Sequence, residues 1–446
     1  MVIMFFALWV SGRKDRKSAR ADDFTDDDMM STTSTVSSSE FNGAPETEEV
    51  FDESTLMDQF VEALYQKRAS MREAGLKGLI DAFTSSVLTE FAEDQCETLS
   101  NRFINSVKVG SGPEAAQGAR ALGLLAFTVG AGSNAQGILS DATPHLWKVA
   151  RVGPSIAARS AALETLGVLT FIGAADLEST EATMELLWSI INHKHSPEDQ
   201  KTGINVPPGP VKVSALVAWS LLLSTVDARK VSSHHLSKSL PVLSNLLKND
   251  DLGVRTAAGE AIALLYEMTD SSAPTEDDAE DSEDHEVPIA RATIPEDEVV
   301  EQMKALSVHA GGKGAPKKER AVQRSSFREL LASIENGVAP QVSVKLQGGK
   351  TLKFNSWTEI TQLNVIRRFL SEGFQTHMQG NELLHEIFDF VPQAEKRKAL
   401  STKEKRMLQS PNSVVSKART EVMNRRRQNS QSQKMGGFSA NGNDSD

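Results

Sequence analysis

The sequence predicts a mainly α protein: an α-solenoid followed by a small α+β domain and a basic, partly helical tail. Three observations carry this. Five Ala/Leu-rich stretches recur at a nearly fixed spacing between residues 70 and 270. Strand-like alternation about a Gly-Gly pair appears only after residue 340. Twelve Lys or Arg against three acidic residues crowd into 395–434, a local charge of +9 in a chain whose net charge is −12.

At 446 residues the chain has room for two or three domains. Apolar residues make up 39% and aromatics 6%, with long Ser, Asp, Glu and Lys tracts, so a substantial part is expected not to fold. Residues 1–53 form an acidic, Ser-rich leader expected to be disordered. Its first ten residues, MVIMFFALWV, are too few to span a bilayer, and Arg13, Lys14, Arg16 and Lys17 follow the apolar run where a signal peptide needs charge before it. A membrane role is therefore not expected, and the bland reading is an extended start upstream of the true one.

Order is expected from residue 54, and Ser70 with Glu73 has the spacing of a capping box. Across 54–269 the stretches REAGLKGLIDAF, GARALGLLAFTVG, AALETLGVLTFIG, SALVAWSLLLSTV and AAGEAIALLYEM stack so that Leu79, Leu122, Leu166, Trp219 and Ile262 coincide, with steps of 43, 44, 53 and 43 residues. That period matches HEAT and armadillo units, and the longer step holds SPEDQKTGINVPPGP, an insertion that belongs in a loop. Val254, Ala258, Ala261, Leu265 and Met268 form one apolar stripe, echoed a unit earlier by Val211, Ala215, Ala218 and Leu222. An ordinary helical bundle is the competing architecture; a fixed period is what separates the two. Such stacks hold large protein partners on an extended surface.

Residues 270–324 read as a linker, acidic and then basic. Nine acidic residues and no Lys or Arg occupy 270–286, HAGGKGAPKKERAVQR reverses the sign, and PEDEVVEQMKALSV between them has the pattern of one short helix. The α+β domain is expected at 325–391: a short helix at 328–334, a hairpin from VSVKLQ and KTLKFNSW about Gly348 and Gly349, and helices at 358–371 and 381–390.

No catalytic, cofactor-binding or metal-binding residue is expected. GGKGAPKK at 311–318 lacks the spacing and hydroxyl of a phosphate-cradling loop. Cys96, the one cysteine, reads as a packed residue in a helix, excludes an internal disulfide framework and suits a reducing compartment. Neither His193 with His195 nor His234 with His235 has the i, i+4 spacing of a helical metal pair. The many carboxylates cluster in tracts with no apolar surroundings to raise a pKa, so paired acid-base catalysis has no visible seat, and no small-molecule substrate is expected.

The tail, 392–446, is different. Lys396, Arg397, Lys398, Lys403, Lys405 and Arg406 come first; after Ser410 and Pro411, SVVSKARTEVMNRRRQ carries Lys417, Arg419, Arg425, Arg426 and Arg427 on a potential helix. These eleven are the candidate RNA contacts, chosen on charge: phosphates pair with them and released counterions drive binding. A nuclear import signal in the runs Lys396-Arg397-Lys398 and Arg425-Arg426-Arg427, or a solubilising tail, remains the alternative. The acidic linker is a further potential partner for the tail when RNA is absent.

The order of the pieces TLMDQFVEALYQKRASMREAGLKGLIDAF, ALGLLAFTVGAG, VSALVAWSLLLSTVD, VRTAAGEAIALLYEM, RSSFRELLASIENGVAPQVSVKLQGGKTLKFNSWTEITQLNVIRRFL and NELLHEIFDF, behind an acidic leader, resembles the interferon-related developmental regulator family in a plant-like form. The resemblance covers roughly residues 50–391, and the apolar N-terminus departs from the family's polar, basic start. It implies regulatory binding without catalysis. Members are tied to occupying idle ribosomes so that translation stops, and to transcriptional co-regulation with deacetylase-containing complexes. The leading expectation is thus a ribosome- and rRNA-associated repressor acting by occupancy with its tail, cytoplasmic with nuclear entry open to it. The alternative is a nuclear scaffold bridging a transcription factor to a histone deacetylase co-repressor complex.

Overall fold

A computed structural model describes residues 53–193, 206–227, 233–271, 296–308, 317–346 and 349–392. The readings placed on the leader, most of the insertion, the acidic tract from 272 and the whole basic tail beyond 392 lie outside the described residues.

Among the described residues, eleven helices precede the acidic tract: α1 (Glu53–Ala63), α2 (Ala69–Ser85), α3 (Thr89–Asp94), α4 (Cys96–Val109), α5 (Gly112–Val129), α6 (Ser133–Val152), α7 (Ile156–Gly173), α8 (Leu177–Ile191), α9 (Gly209–Leu223), α10 (Ser233–Leu246) and α11 (Leu252–Ser271). The repeat register survives in space. Leu79, Leu122, Leu166, Trp219 and Ile262 fall on α2, α5, α7, α9 and α11, and all five are buried. These second helices stack in series, α2 on α5, α5 on α7, α7 on α9 and α9 on α11, while α4, α6, α8 and α10 cover them as a first row. Enclosure from several sides explains why α7 and α9 are apolar around most of their circumference. α7 is long and apolar enough to cross a membrane, yet here it is packed between α5 and α9. Small residues set the spacing: a Cβ on Gly167 would stand 2.7 Å from the Ala218 Cβ across α7 and α9.

Two polar positions repeat with the apolar one. Eleven residues before it stands the helix N-cap. There Ser111, Ser155 and Asp251 each accept from a backbone amide in the first turn, those of Glu114, Ala158 and Val254, at 3.2, 3.0 and 3.2 Å. Seven residues before it, three units carry an arginine that closes the preceding turn. Arg72 donates to the carbonyls of Gln66 and Lys67, Arg159 to Ala150, and Arg255 to Asn249 and Asp250. The capping box expected at Ser70 and Glu73 does not form. α2 starts at Ala69 with Arg68 at its cap and no side-chain cap there, and the Glu73 carboxylate accepts instead from Ser111 Oγ at 2.8 Å. Spacing alone missed this because a neighbouring unit competes for the carboxylate.

Past residue 271 the stack goes on. α12 (Glu296–Val308) packs against α13 (Lys317–Asn336), and α13 lies on α11 as the next second helix would. α13 is much longer than the seven residues expected at 328–334. Its first half is polar, so periodicity is weak there, and it is fixed by Gln323, buried, whose Oε1 accepts from Arg255 Nη2 at 3.0 Å.

The hairpin forms as expected: β1 (Val342–Lys345) pairs antiparallel with β2 (Thr351–Phe354), Val342 opposite Phe354 and Val344 opposite Leu352. Val342, Val344 and Phe354 face inward, Ser343, Lys345 and Lys353 outward, and Gly349 takes φ +88° in the turn. α14 (Trp357–Leu370) begins and ends within one residue of expectation. The helix expected at 381–390 is shorter. Only α16 (Glu382–Ile387) occupies it, its first turn capped by Asn381, whose Oδ1 accepts from the Leu383 amide; before it a 3-10 turn (Ser371–Gly373) and α15 (Phe374–Gly380) fill a stretch where no element was expected.

Candidate functional site

The surface a solenoid offers with its second helices is, in this chain, covered by its own C-terminal module. α14 packs on α5, α9 and α11, and the 3-10 turn after it packs on α2. Each contact can be built from the repeat register. Two residues before the aligned apolar position stand Arg120, Glu164, Val217 and Glu260; five after it stand Thr84, Phe127, Ser224 and Glu267. Seven residues is two helical turns, so both sets share one face of each helix.

α14 is gripped at both ends. At its N-terminus the amides of Trp357 and Thr358 donate to the Glu267 carboxylate, the latter at 3.0 Å, and Thr358 Oγ1 adds a bond of 2.8 Å. At its C-terminus Arg120 Nη2 donates to the Phe369 carbonyl at 2.8 Å and to Ser371 Oγ at 3.1 Å. Ser371 there takes a positive φ of 47°, a conformation usually left to glycine. Between the ends, Arg368 pairs with Glu164, which also accepts from Ser214 Oγ at 2.6 Å, and Gln362 Nε2 donates to Ser224 Oγ at 3.2 Å. The Phe369 ring packs tilted against Phe127, centroids 5.8 Å apart, over Gly123, where a Cβ would come within 2.4 Å of the Phe369 ring. Burial lowers the Arg120 pKa, with Glu164 opposing the shift and Arg368 adding to it.

The next elements repeat the device. Phe83 and Phe127 lie in the last turns of α2 and α5, where backbone carbonyls have no partner within the helix. His377 Nε2 bonds the Phe83 carbonyl at 2.9 Å, and Asn381 Nδ2 donates to the Phe127 carbonyl at 2.8 Å. Asn381 Nδ2 also lies 3.3 Å from His377 Nδ1, which makes Nδ1 the acceptor and Nε2 the protonated nitrogen of a neutral ring. Burial lowers the His377 pKa against the opposing carbonyls of Phe83 and Thr84. The fit is close: a Cβ on Gly373 would stand 1.6 Å from the Thr84 carbonyl oxygen.

Glu260 is the exception in this seam. It sits at a narrow cleft between α9, α11 and α14 with Ser220, Thr361 and Asn364, and burial pushes its carboxyl up to about 7.

The module ends at a fixed point. Lys350 Nζ, at the hairpin turn, donates to the Val391 carbonyl at 2.7 Å and lies 5.0 Å from the Phe390 ring centre. Lys396, Arg397, Lys398, Lys403, Lys405, Arg406, Lys417, Arg419, Arg425, Arg426 and Arg427 all lie outside the described residues. Of the other candidates, Cys96 opens α4, buried, with its thiol pKa raised by burial and then by Glu93. Among the described residues no three His, Cys, Asp or Glu side chains converge as metal ligands.

Sequence reading missed the seam. Its signal was present in the repeat alignment: charged side chains at a face position of helices that otherwise bury everything.

Comparison with known proteins points one way. A family model described as Interferon-related developmental regulator matches residues 26–335, and one described as Interferon-related protein conserved region matches 381–431. The likeness thus extends beyond 50–391 in both directions and takes in the eleven basic tail residues. The chain is 29% identical over 334 residues to interferon-related developmental regulator 1 of Mus musculus, covering 74% of this chain and 70% of that protein. The Homo sapiens counterpart is 28% identical over the same length. Interferon-related developmental regulator 2 of Mus musculus is 29% identical over 385 residues, 82% of this chain and 80% of that protein.

Proposed function

This chain belongs to the interferon-related developmental regulator family, and from that membership we propose that it is a non-enzymatic translational repressor that occupies the ribosome. The stack docks on ribosomal protein or rRNA, and the basic tail enters an RNA-lined channel and excludes mRNA or tRNA. The observation that carries this reading is the charge of the tail, +9 over residues 395–434, most of which lie in the stretch 381–431 that the family's conserved-region model matches. A cation-rich segment of this kind binds phosphates with a salt-sensitive affinity. The protein acts in the cytoplasm, with nuclear entry open through its short basic runs.

Sedimentation of the tagged chain from lysate through sucrose, with and without RNase and across a salt series, tests it. Co-migration with monosomes, lost at high salt and lost on replacing the eleven basic tail residues with Gln, is the expected result. Intact and tail-neutralised chains migrating alike with the same salt slope would overturn the tail's role. The runs Lys396-Arg397-Lys398 and Arg425-Arg426-Arg427 also suit an import signal, which favours the second reading, a nuclear co-regulator. Recovery with histone deacetylases and not with ribosomes would select it.

A further inference from the structure

The first-row helices end on one edge of the stack, and the middle of that edge is basic. Lys108 and Arg151 lie in the last turns of α4 and α6, Lys148 one turn before Arg151, and Arg159 in the first turn of α7. The field there is felt by His145, whose pKa is lowered by burial and then by Lys108 and Lys148, with Asp141 opposing. Into this edge opens a cleft of about 310 Å³ lined by Trp147, Arg151, Arg159, Ser189, Ile190 and His193, beside Pro207. Among the described residues that line it there is no carboxylate. Small-ligand pockets run from about 300 Å³ upward, so the cleft suits one planar group better than an extended ligand.

Its chemistry is specific. Trp147 is packed against the core along part of its ring, which holds it in place, and the Arg151 guanidinium stands 5.9 Å from the ring centre. Arg159 spends only Nε, on the Ala150 carbonyl at 2.9 Å; its Nη1 and Nη2 have no partner among the described residues. Burial lowers the Arg159 pKa, and no acidic neighbour opposes it. A guanidinium partly removed from water without a counter-charge is an anion site waiting for its anion.

We propose that this cleft binds single-stranded RNA, Trp147 stacking an unpaired base while Arg151, Arg159 and Lys148 neutralise the flanking phosphates. The inference rests on the ribosome reading and deepens it, giving the stack an RNA contact of its own, distinct from the tail. An acidic peptide with an aliphatic residue is the competing occupant, because Val152 and Ile156 are exposed on the same edge. The aromatic platform beside two guanidinium groups favours RNA, since every base offers a π face and every linkage a charge.

The test titrates the full chain into a fluorescein-labelled oligoadenylate, by anisotropy, over a salt series. Three proteins are compared: wild type, the Lys148→Gln/Arg151→Gln double variant, and Trp147→Leu. Arg159 is left intact because it closes α6. The double variant is expected to reduce the slope of log K against log salt by about 1.4, about 0.7 for each lost phosphate contact. Trp147→Leu is expected to lose about tenfold in affinity with the slope unchanged. Unfolding midpoints equal to wild type exclude a folding defect.

Wild-type binding that none of these changes moves would overturn the cleft and leave the tail as the whole RNA contact, with the ribosome reading intact. A wild-type chain that binds no RNA and stays at the top of the sucrose gradient would sink both. Displacement of the oligonucleotide by a Glu/Leu peptide, sensitive to Lys148 and Arg151 and indifferent to Trp147, would give the site to a protein partner instead.

Discussion

Glu267 and Arg120 hold opposite ends of the same helix, and their charges are the reverse of that helix's dipole. α14 presents free amides and a partial positive charge to Glu267, and free carbonyls and a partial negative charge to Arg120. Both residues come from the stack, so α14 is capped by the body it docks on. Between the two grips the docking combines the Arg368–Glu164 and Gln362–Ser224 contacts with buried Ile360, Leu363 and Ile366.

Removing either grip should therefore loosen the module without dismantling the stack. Arg120→Ala is expected to cost about 1.5–3 kcal/mol, since it leaves the Phe369 carbonyl unpaired at a charged hydrogen bond. Glu267→Gln should cost less, because one acceptor remains. The ends are about 21 Å apart along 14 residues, so the double variant should be additive within about 0.5 kcal/mol. Urea unfolding of the four proteins measures this; strong non-additivity would mean the two ends are coupled.

Gly373→Ala tests the close approach of the 3-10 turn to α2. With the Thr84 carbonyl in the way, the turn must move, and about 1–3 kcal/mol or more should be lost. Amide exchange in α15 should accelerate while that in α7 and α9 does not.

His377 makes the same seam sensitive to acid. Its folded pKa lies below the usual 6.5, so the unfolded chain binds the proton first as pH falls, and stability drops from about pH 6.5 downward. His377→Gln keeps a donor for the Phe83 carbonyl and should flatten the profile between pH 7 and 5. An unchanged slope in thermal unfolding at those pH values would refute the assignment.

Glu260 acts in the opposite direction. Its carboxyl is raised from 4.5 to about 7, so the unfolded chain loses its proton first as pH rises, and the folded state is penalised progressively from about pH 4.5, in full above 7. Glu260→Gln should match wild type near pH 4 and be more stable at pH 8, with the gap opening between. The two windows overlap below about pH 6.5, where the groups act in opposite directions and their slopes partly cancel, so each single variant exposes the other's slope.

The sequence by itself determined the period, and with it the row of second helices. Leu79, Leu122, Leu166, Trp219 and Ile262 had to be buried because each unit can hide its apolar face only against the next. The hairpin about Gly348 and Gly349 and the span of α14 were equally legible, as alternation and helical period are local signals. What only the tertiary structure decided is where those pieces meet. Glu73 went to Ser111 instead of its own helix, α13 grew backward to seat Gln323 against Arg255, and Asn381 caps both the start of α16 and the end of α5. The partners of Arg120, Glu164, Glu267 and His377 are up to 294 residues away in the chain, and a charged residue carries no mark of which distant carbonyl or carboxylate will satisfy it. Burial forces each polar group to find a partner; only the packed stack, by bringing helix ends to one face, determines which.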